Sequence, residues 1–217
     1  MKIIFTWLIL TVFVITAGGQ IIYLEAGKVL SSFDYKNSDG NSLDNLSGSN
    51  ESNIVLGARI SLFRSAFHLS VAGEYNKYGA THSDPLLGNY IVWDAAYMGP
   101  YLGIDYEFFK PSGNRNEEVG FSFYLKSAFA VDFLINGMRV LNSQAFDLHG
   151  VEEFDKPVYF LRGGIGGNYY ISRTFIVYAQ YMFGRSILIG NYAGQEQLKF
   201  ISHTASIGLA INLYYNR

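Results

Sequence analysis

The sequence predicts an all-β protein, an eight-stranded antiparallel up-and-down transmembrane β-barrel. Three observations predict it. Several long stretches alternate at period two, with bulky apolar residues in one set and small or polar residues in the other. Alternate side chains of a strand lie on opposite faces. The charges of these stretches fall in the small-residue set, giving the apolar-out, polar-in pattern of a barrel strand in lipid. A soluble barrel of lipocalin type would show the reverse. Connections between the stretches alternate short and long, as in barrels with short turns on one side of a membrane and long loops on the other.

Composition agrees. Of 217 residues, 49% are hydrophobic, 17% aromatic and only 16% charged, where soluble domains carry about 25% charged residues. Strand formers and glycine are plentiful (Tyr 17, Phe 17, Gly 23) and Pro is scarce, at 4. With Cys at zero, disulfides, thiolate metal sites and thiol nucleophiles are excluded. A net charge of −2 gives no reason to expect nucleic acid as a partner. No cofactor is expected, and no His/Asp/Glu spacing suggests a transition-metal site.

Residues 1–19 read as a signal peptide: Lys2, an apolar run from Ile3 to Ile15, then Ala17-Gly18-Gly19 before cleavage. The run is short for a bilayer span. Residues 20–217 then form the barrel domain.

The first strand runs from Ile21 to about Tyr35. Ile22, Leu24 and Ala26 share a face, then Val29, Ser31, Phe33 and Tyr35 take it over, so a β-bulge is expected at Gly27-Lys28. A polar loop follows over 37–50. The second strand points Ile54, Leu56, Ala58, Ile60 and Leu62 outward, with Asn53, Val55, Gly57, Arg59 and Ser61 inward. The third sends Phe67, Leu69, Val71, Gly73 and Tyr75 out, and His68, Ser70, Ala72, Glu74 and Asn76 in. In the fourth, Tyr97, Gly99, Tyr101, Gly103 and Asp105 face in. Pro100 cannot donate to a ladder, so a bulge is expected there. The fifth sets Phe121, Phe123, Leu125, Ser127, Phe129 and Val131 against Ser122, Tyr124, Lys126 and Asp132. The sixth carries Arg162 inward. The seventh turns Phe175, Val177, Ala179, Tyr181 and Phe183 outward. The eighth, FISHTASIGLAINLYYNR from Phe200, puts His203, Ala205, Ile207, Leu209, Ile211 and Leu213 on the outer face.

Short connections fall near 63–66, 109–118 and 172–174, and long ones at 36–52, 77–90, 136–157 and 186–199. With an even strand number, both termini lie on the short-turn side, the periplasm. Aromatic rings favour the headgroup level. Phe63, Phe67, Phe108, Tyr169, Phe175 and Tyr215 are expected in one girdle, and Tyr75, Trp93, Phe133, Tyr159 and Tyr181 in the other.

The lumen is expected to hold Arg59, Glu74, Asp105, Lys126, Asp132 and Arg162, with Glu25 and Lys28 as further candidates. Charges of both signs in so narrow a space must pair, which favours a salt-bridge plug over a pore. Catalysis is not expected. Ser/His hydrolysis needs a base within reach of the serine, and His203 has no outward serine beside it. His82 and His149 sit alone in loops, and the acidic loops read as solvated, because Asp39-Gly40-Asn41 lacks EF-hand order. The residues expected to face a partner are Phe146, Leu148, Phe154, Leu188 and Tyr192, since exposed apolar loop residues mark contact sites, and His203 on the outer face of the last strand. The equal alternative for the loop residues is that the strands run on past the membrane as a ribbon and cover them with one another.

The segment Ser206-Ile207-Gly208-Leu209-Ala210-Ile211-Asn212-Leu213 resembles the β-signal of small porin-like outer-membrane barrels of OmpX and OmpA type, in the style of those from Bacteroidota. The chain departs from it in ending Tyr215-Asn216-Arg217 rather than on an aromatic residue. The resemblance implies the outer membrane of a Gram-negative bacterium and recognition of Ser206, Gly208, Ile211 and Leu213 by the barrel-assembly machinery. It also implies outer-membrane lipid and lipopolysaccharide as surroundings. The expected role is a non-enzymatic scaffold or accessory subunit of a larger outer-membrane complex. The alternatives are a small-solute channel, a surface adhesin and, least favoured, a lipid A-modifying enzyme.

Overall fold

The structure, a computed structural model, describes residues 20–36, 46–62, 66–84, 89–109, 119–188 and 197–213. The signal segment 1–19, Phe63, Tyr192 and Tyr215 lie outside the described residues. The strands are β1 (Gln20–Lys36), β2 (Leu46–Ser61), β3 (Phe67–Asp84), β4 (Asn89–Phe108), β5 (Gly120–Leu141), β6 (Gln144–Asp147), β7 (Val158–Tyr170), β8 (Phe175–Ile187) and β9 (Gln197–Asn212). A single helical turn, α1 (Glu152–Asp155), sits between β6 and β7. Neighbours pair antiparallel in the order β4-β3-β2-β1-β9-β8-β7-β5, and β4 pairs with β5 to close a ring of eight. The ninth strand, β6, pairs only with Met138 to Leu141 of β5, above the stretch of β5 that meets β7. Closure removes the sheet edges that would otherwise invite aggregation.

Alternation places the predicted faces of β2, β3, β5, β7, β8 and β9. His68, Ser70, Ala72, Glu74 and Asn76 are buried, while Leu56, Val71, Phe121, Leu125, Ile165, Ile207 and Leu209 are exposed. Polar and basic residues enter the outer apolar band where Lys28, Ser52, Lys77, Arg185 and His203 take the outward positions of β1, β2, β3, β8 and β9, with Leu30 and Ile187 still exposed one step above Lys28 and Arg185. At the opposite, short-turn end the outer rings pair up: Phe67 with Tyr106 at 4.9 Å, Phe121 with Tyr169 at 4.7 Å and Phe108 with Phe123 at 6.2 Å between centroids.

Three expectations are corrected. No slip occurs at Gly27-Lys28: β1 keeps one register against β2 and against β9 throughout. Val29, Ser31 and Phe33 are therefore inside and Lys28 is outside. Nor does the ladder shift at Pro100, for Met98 meets Phe133 and Tyr101 meets Ala130 in one register. The shift lies between Ala96 and Tyr97, whose partners are Asn136 and Leu134, so Ile135 is the extra residue. Trp93, expected in the outer girdle, instead meets Phe33 edge-on at 6.3 Å inside the barrel mouth.

The strands also run further than expected. β3 reaches Asp84 and β5 reaches Leu141, so much of what read as loop is hydrogen-bonded ribbon. The asymmetry between the two ends lies in strand overhang as much as in loop length.

Inward glycines accommodate inward tyrosines. Tyr23 faces Gly57, Tyr124 faces Gly166 and Tyr178 faces Gly208 across the ladder. A Cβ at Gly166 would lie 2.2 Å from the Tyr124 ring, and one at Gly208 would lie 2.3 Å from that of Tyr178. Each ring thus lies over a bare backbone. Gly166→Ala should destabilise the barrel by about 1–3 kcal/mol through overpacking. Gly73→Ala, with no atom within 4 Å of its added Cβ, should stay within about 0.5 kcal/mol of wild type. Urea unfolding in micelles measures both.

Candidate functional site

The interior is built in four layers. At the short-turn end, Glu107 collects Ser122 Oγ, the Tyr170 hydroxyl, Asn168 Nδ2 (3.1 Å) and His68 Nε2 (3.1 Å). His68 Nδ1 lies 3.1 Å from Ser61 Oγ. Both ring nitrogens are engaged and the ring is buried, so this Ser-His-Glu chain closes the floor.

Above it lies a charged centre. Asp105 Oδ2 accepts from Ser70 Oγ at 2.9 Å and lies 2.9 Å from Arg59 Nε, while Oδ1 lies 3.5 Å from Lys126 Nζ. The Arg59 Nε–H is not aligned on the carboxylate, so the contact is an ion pair rather than a directed hydrogen bond. Tyrosines wrap these cations. The Arg59 guanidinium is 5.2 Å from the Tyr124 ring centroid, and Lys126 Nζ is 5.6 Å from those of Tyr23 and Tyr101. A cation desolvated against aromatic faces is attracted by their quadrupoles.

Beside this centre, Glu25 accepts from Tyr178 OH (3.1 Å), Gln180 Nε2 (2.8 Å) and Ser206 Oγ (2.6 Å). Gln180 Oε1 in turn accepts from Tyr124 OH at 2.9 Å. The third layer is Arg162, which ion-pairs with Glu74 and reaches Tyr78 OH at 3.0 Å and Asp132 Oδ2 at 3.4 Å. Tyr78 OH donates to the same Asp132 oxygen at 2.9 Å.

The fourth layer is an aromatic cap at the long-strand end. Phe200 touches Phe33, Tyr78, Tyr97, Phe154 and Phe160, with centroids between 4.9 and 6.3 Å. Tyr97 OH donates to the Phe154 carbonyl at 3.0 Å, tying α1 down into the mouth. Leu148 lies against Gly137, where an added Cβ would come within 2.9 Å of it.

The structure therefore brings Arg59, Glu74, Asp105, Lys126, Asp132 and Arg162 into one connected interior. Glu25 joins them and Lys28 does not. Glu107 was missed, because it lies next to Phe108 at a strand end. Its signal was its even spacing from Asp105 on the inward set. Among the residues expected to face a partner, Leu148 and Phe154 are corrected: they are 1% and 6% exposed and plug the mouth. Phe146 remains outside under the Arg139 guanidinium at 5.5 Å, and Leu188 is half-buried. His203 faces outward, with Nδ1 2.6 Å from Tyr181 OH. Of the β-signal residues, Ser206 and Gly208 point inward, while Ile211 and Leu213 point outward.

Above the ring, Asp147 shapes the turn that follows β6. The His149 backbone N–H donates to Asp147 Oδ1 at 2.9 Å and the His149 ring lies equally close, holding the carboxyl below the ordinary aspartate range.

No protein-family profile and no curated protein sequence matches the chain. Solved structures do. The protein is a small eight-stranded β-barrel with the fold of Gram-negative outer-membrane proteins. It superposes on the outer membrane protein OprG from Pseudomonas aeruginosa with a TM-score of 0.52 and 14% identity, covering 92% of this chain and 98% of that one. For Neisserial surface protein A the TM-score is 0.49 and the identity 12%, covering 88% of this chain and 96% of that one. For the N-terminal barrel domain of Pseudomonas aeruginosa OprF they are 0.41 and 14%, covering 89% and 97%.

Removing one partner of a buried ion pair leaves a bare charge. Asp105→Ala should therefore cost about 3–5 kcal/mol. Replacing Asp105 by Leu together with Arg59 and Lys126 by Met should cost much less, because no lone cation remains from that ion-paired cluster. Equilibrium unfolding of the three proteins in micelles reads the difference.

Proposed function

We propose that this barrel is a non-conducting scaffold or accessory subunit of the outer membrane, engaging a partner protein through its β5–β6 hairpin and outer wall. Its termini and short turns would lie in the periplasm and its hairpin outside the cell. Residues 1–19 would serve as a cleaved signal peptide. The observation that carries the reading is the sealed interior: salt bridges fill the ring and an aromatic cap closes its mouth. That leaves outer surfaces for function.

One outer surface supports a protein partner. A barrel strand needs about 9–11 residues to span the hydrocarbon. Ile135 and Met138 lie well past that distance from Gly120, yet are 45% and 47% exposed. At the same height β1, β3 and β9 present Asp34, Ser83 and Lys199 on the outward set. Exposed apolar residues beyond the lipid band mark contact with another protein.

Purified protein in planar bilayers should show no unitary current, whereas Arg162→Ala combined with Phe154→Ala should. Steady conductance by wild type would overturn the sealed-barrel reading. Ile135→Ser with Met138→Ser should leave a folded barrel that no longer cross-links in cells to the protein that wild type captures. An unchanged cross-linking pattern would overturn the hairpin's role.

A further inference from the structure

We propose that the outer wall carries a discrete site for one acyl chain of a phosphorylated lipid, with the phosphate held by Lys28, Arg185 and His203. The ladder defines its floor. Phe123, Gly167, Ala179, Ile207 and Ala26 form one row of outward residues across β5, β7, β8, β9 and β1. Ile165, Tyr181, Ala205 and Lys28 form the next. Gly167, Ala179, Ala205 and Ala26 are small, while Phe123, Ile165, Tyr181 and Ile207 stand around them. The result is a groove of about 940 Å³, apolar along nearly its whole lining.

Its dimensions suit a lipid tail. From Phe123 to Ala26 the groove crosses four strand spacings, about 19 Å at the usual separation of neighbouring strands. Because barrel strands tilt, such a row climbs obliquely across the apolar band. It starts beside the short-turn aromatics Phe108 and Phe123 and ends at Lys28.

Charge selects the lipid. The upper end of the groove meets the boundary where the outer face turns polar. There Lys28 pairs across the ladder with Ala205, His203 follows on β9 with its ring held by Tyr181, and Arg185 lies diagonally beyond on β8. All three are exposed on the outer face. Lipid-facing cations are tolerated near the interface and disfavoured at mid-bilayer. Two cationic side chains and an imidazole over a hydrocarbon groove complement an anionic headgroup whose tail lies below it.

The occupant assigned is a lipid of the leaflet nearest the hairpin, bearing phosphate and several acyl chains, as lipid A does. This choice of leaflet rests on the orientation given under Proposed function. Labelling of Ser143→Cys by an impermeant maleimide on whole cells tests that orientation separately.

The binding experiment is native mass spectrometry of the folded barrel titrated with bisphosphorylated lipid A and with its dephosphorylated form. Wild type should retain one lipid A, with at least tenfold weaker retention of the dephosphorylated form. Lys28→Gln with Arg185→Gln should lose that preference. Ala179→Phe, or Ala205→Leu as a milder filling, should weaken both lipids alike. Resistance to SDS without heating reports that each variant is folded. Equal retention of the two lipids by wild type would overturn the headgroup site, and undiminished binding by both filled variants would overturn the groove.

Discussion

An eight-stranded ring encloses little more than the volume of its own inward side chains, and the rest of this structure depends on filling that space without stranding a charge. Five carboxylates (Glu25, Glu74, Asp105, Glu107 and Asp132) and three basic side chains (Arg59, Lys126 and Arg162) are drawn into it among the described residues. Each carboxylate has a basic or hydrogen-bond-donating partner. The tyrosines serve twice, as ring faces against Arg59 and Lys126 and as hydroxyl donors to Glu25, Gln180 and Asp132. They fit only because glycines sit opposite three of them. Buried pairs of this kind stabilise little against apolar replacements but are costly to break singly. The interior thus enforces one register on all eight strands.

That division of labour leaves the outside free to differ along its height. The lower and middle wall is hydrocarbon-facing, ringed by paired aromatics at the short-turn end. The next level is basic on β1, β8 and β9. Above it rises the β5–β6 hairpin, followed by α1, which Tyr97 ties to the mouth through the Phe154 carbonyl.

The sequence showed the membrane-spanning part clearly, because there the alternation has one polarity. Strands such as Phe121 to Val131, where Phe121, Phe123, Leu125 and Phe129 face lipid and the one charge, Lys126, faces in, left no ambiguity. It misled where the polarity inverts. Near the mouth the interior becomes aromatic and the exterior polar, so Val29, Ser31 and Phe33 looked like an outward set that had slipped by one residue. The same inversion made Leu148 and Phe154 look like exposed loop residues when they cap the lumen. Pattern alone cannot separate a register slip from a change of environment along one straight strand. Glu107 was hidden for a related reason, beside two phenylalanines at a strand end where alternation has too few positions left to assert itself. The lumen charges could be named from sequence, but their grouping into layers depends on tilt and stagger that a linear pattern does not contain.

The seam between β1 and β9 joins Ile21 to Asn212 and continues through Lys36 against Gln197. Contacts between residues so distant along the chain form late, because the entropy of closing the intervening loop must first be overcome. Until they form, the two flanking strands offer unpaired backbone edges, and the greasy wall has no closed cylinder to belong to. Closing the ring therefore requires the first described strand to pair with the last. A chain caught before that step would be the species most prone to pair with its neighbours.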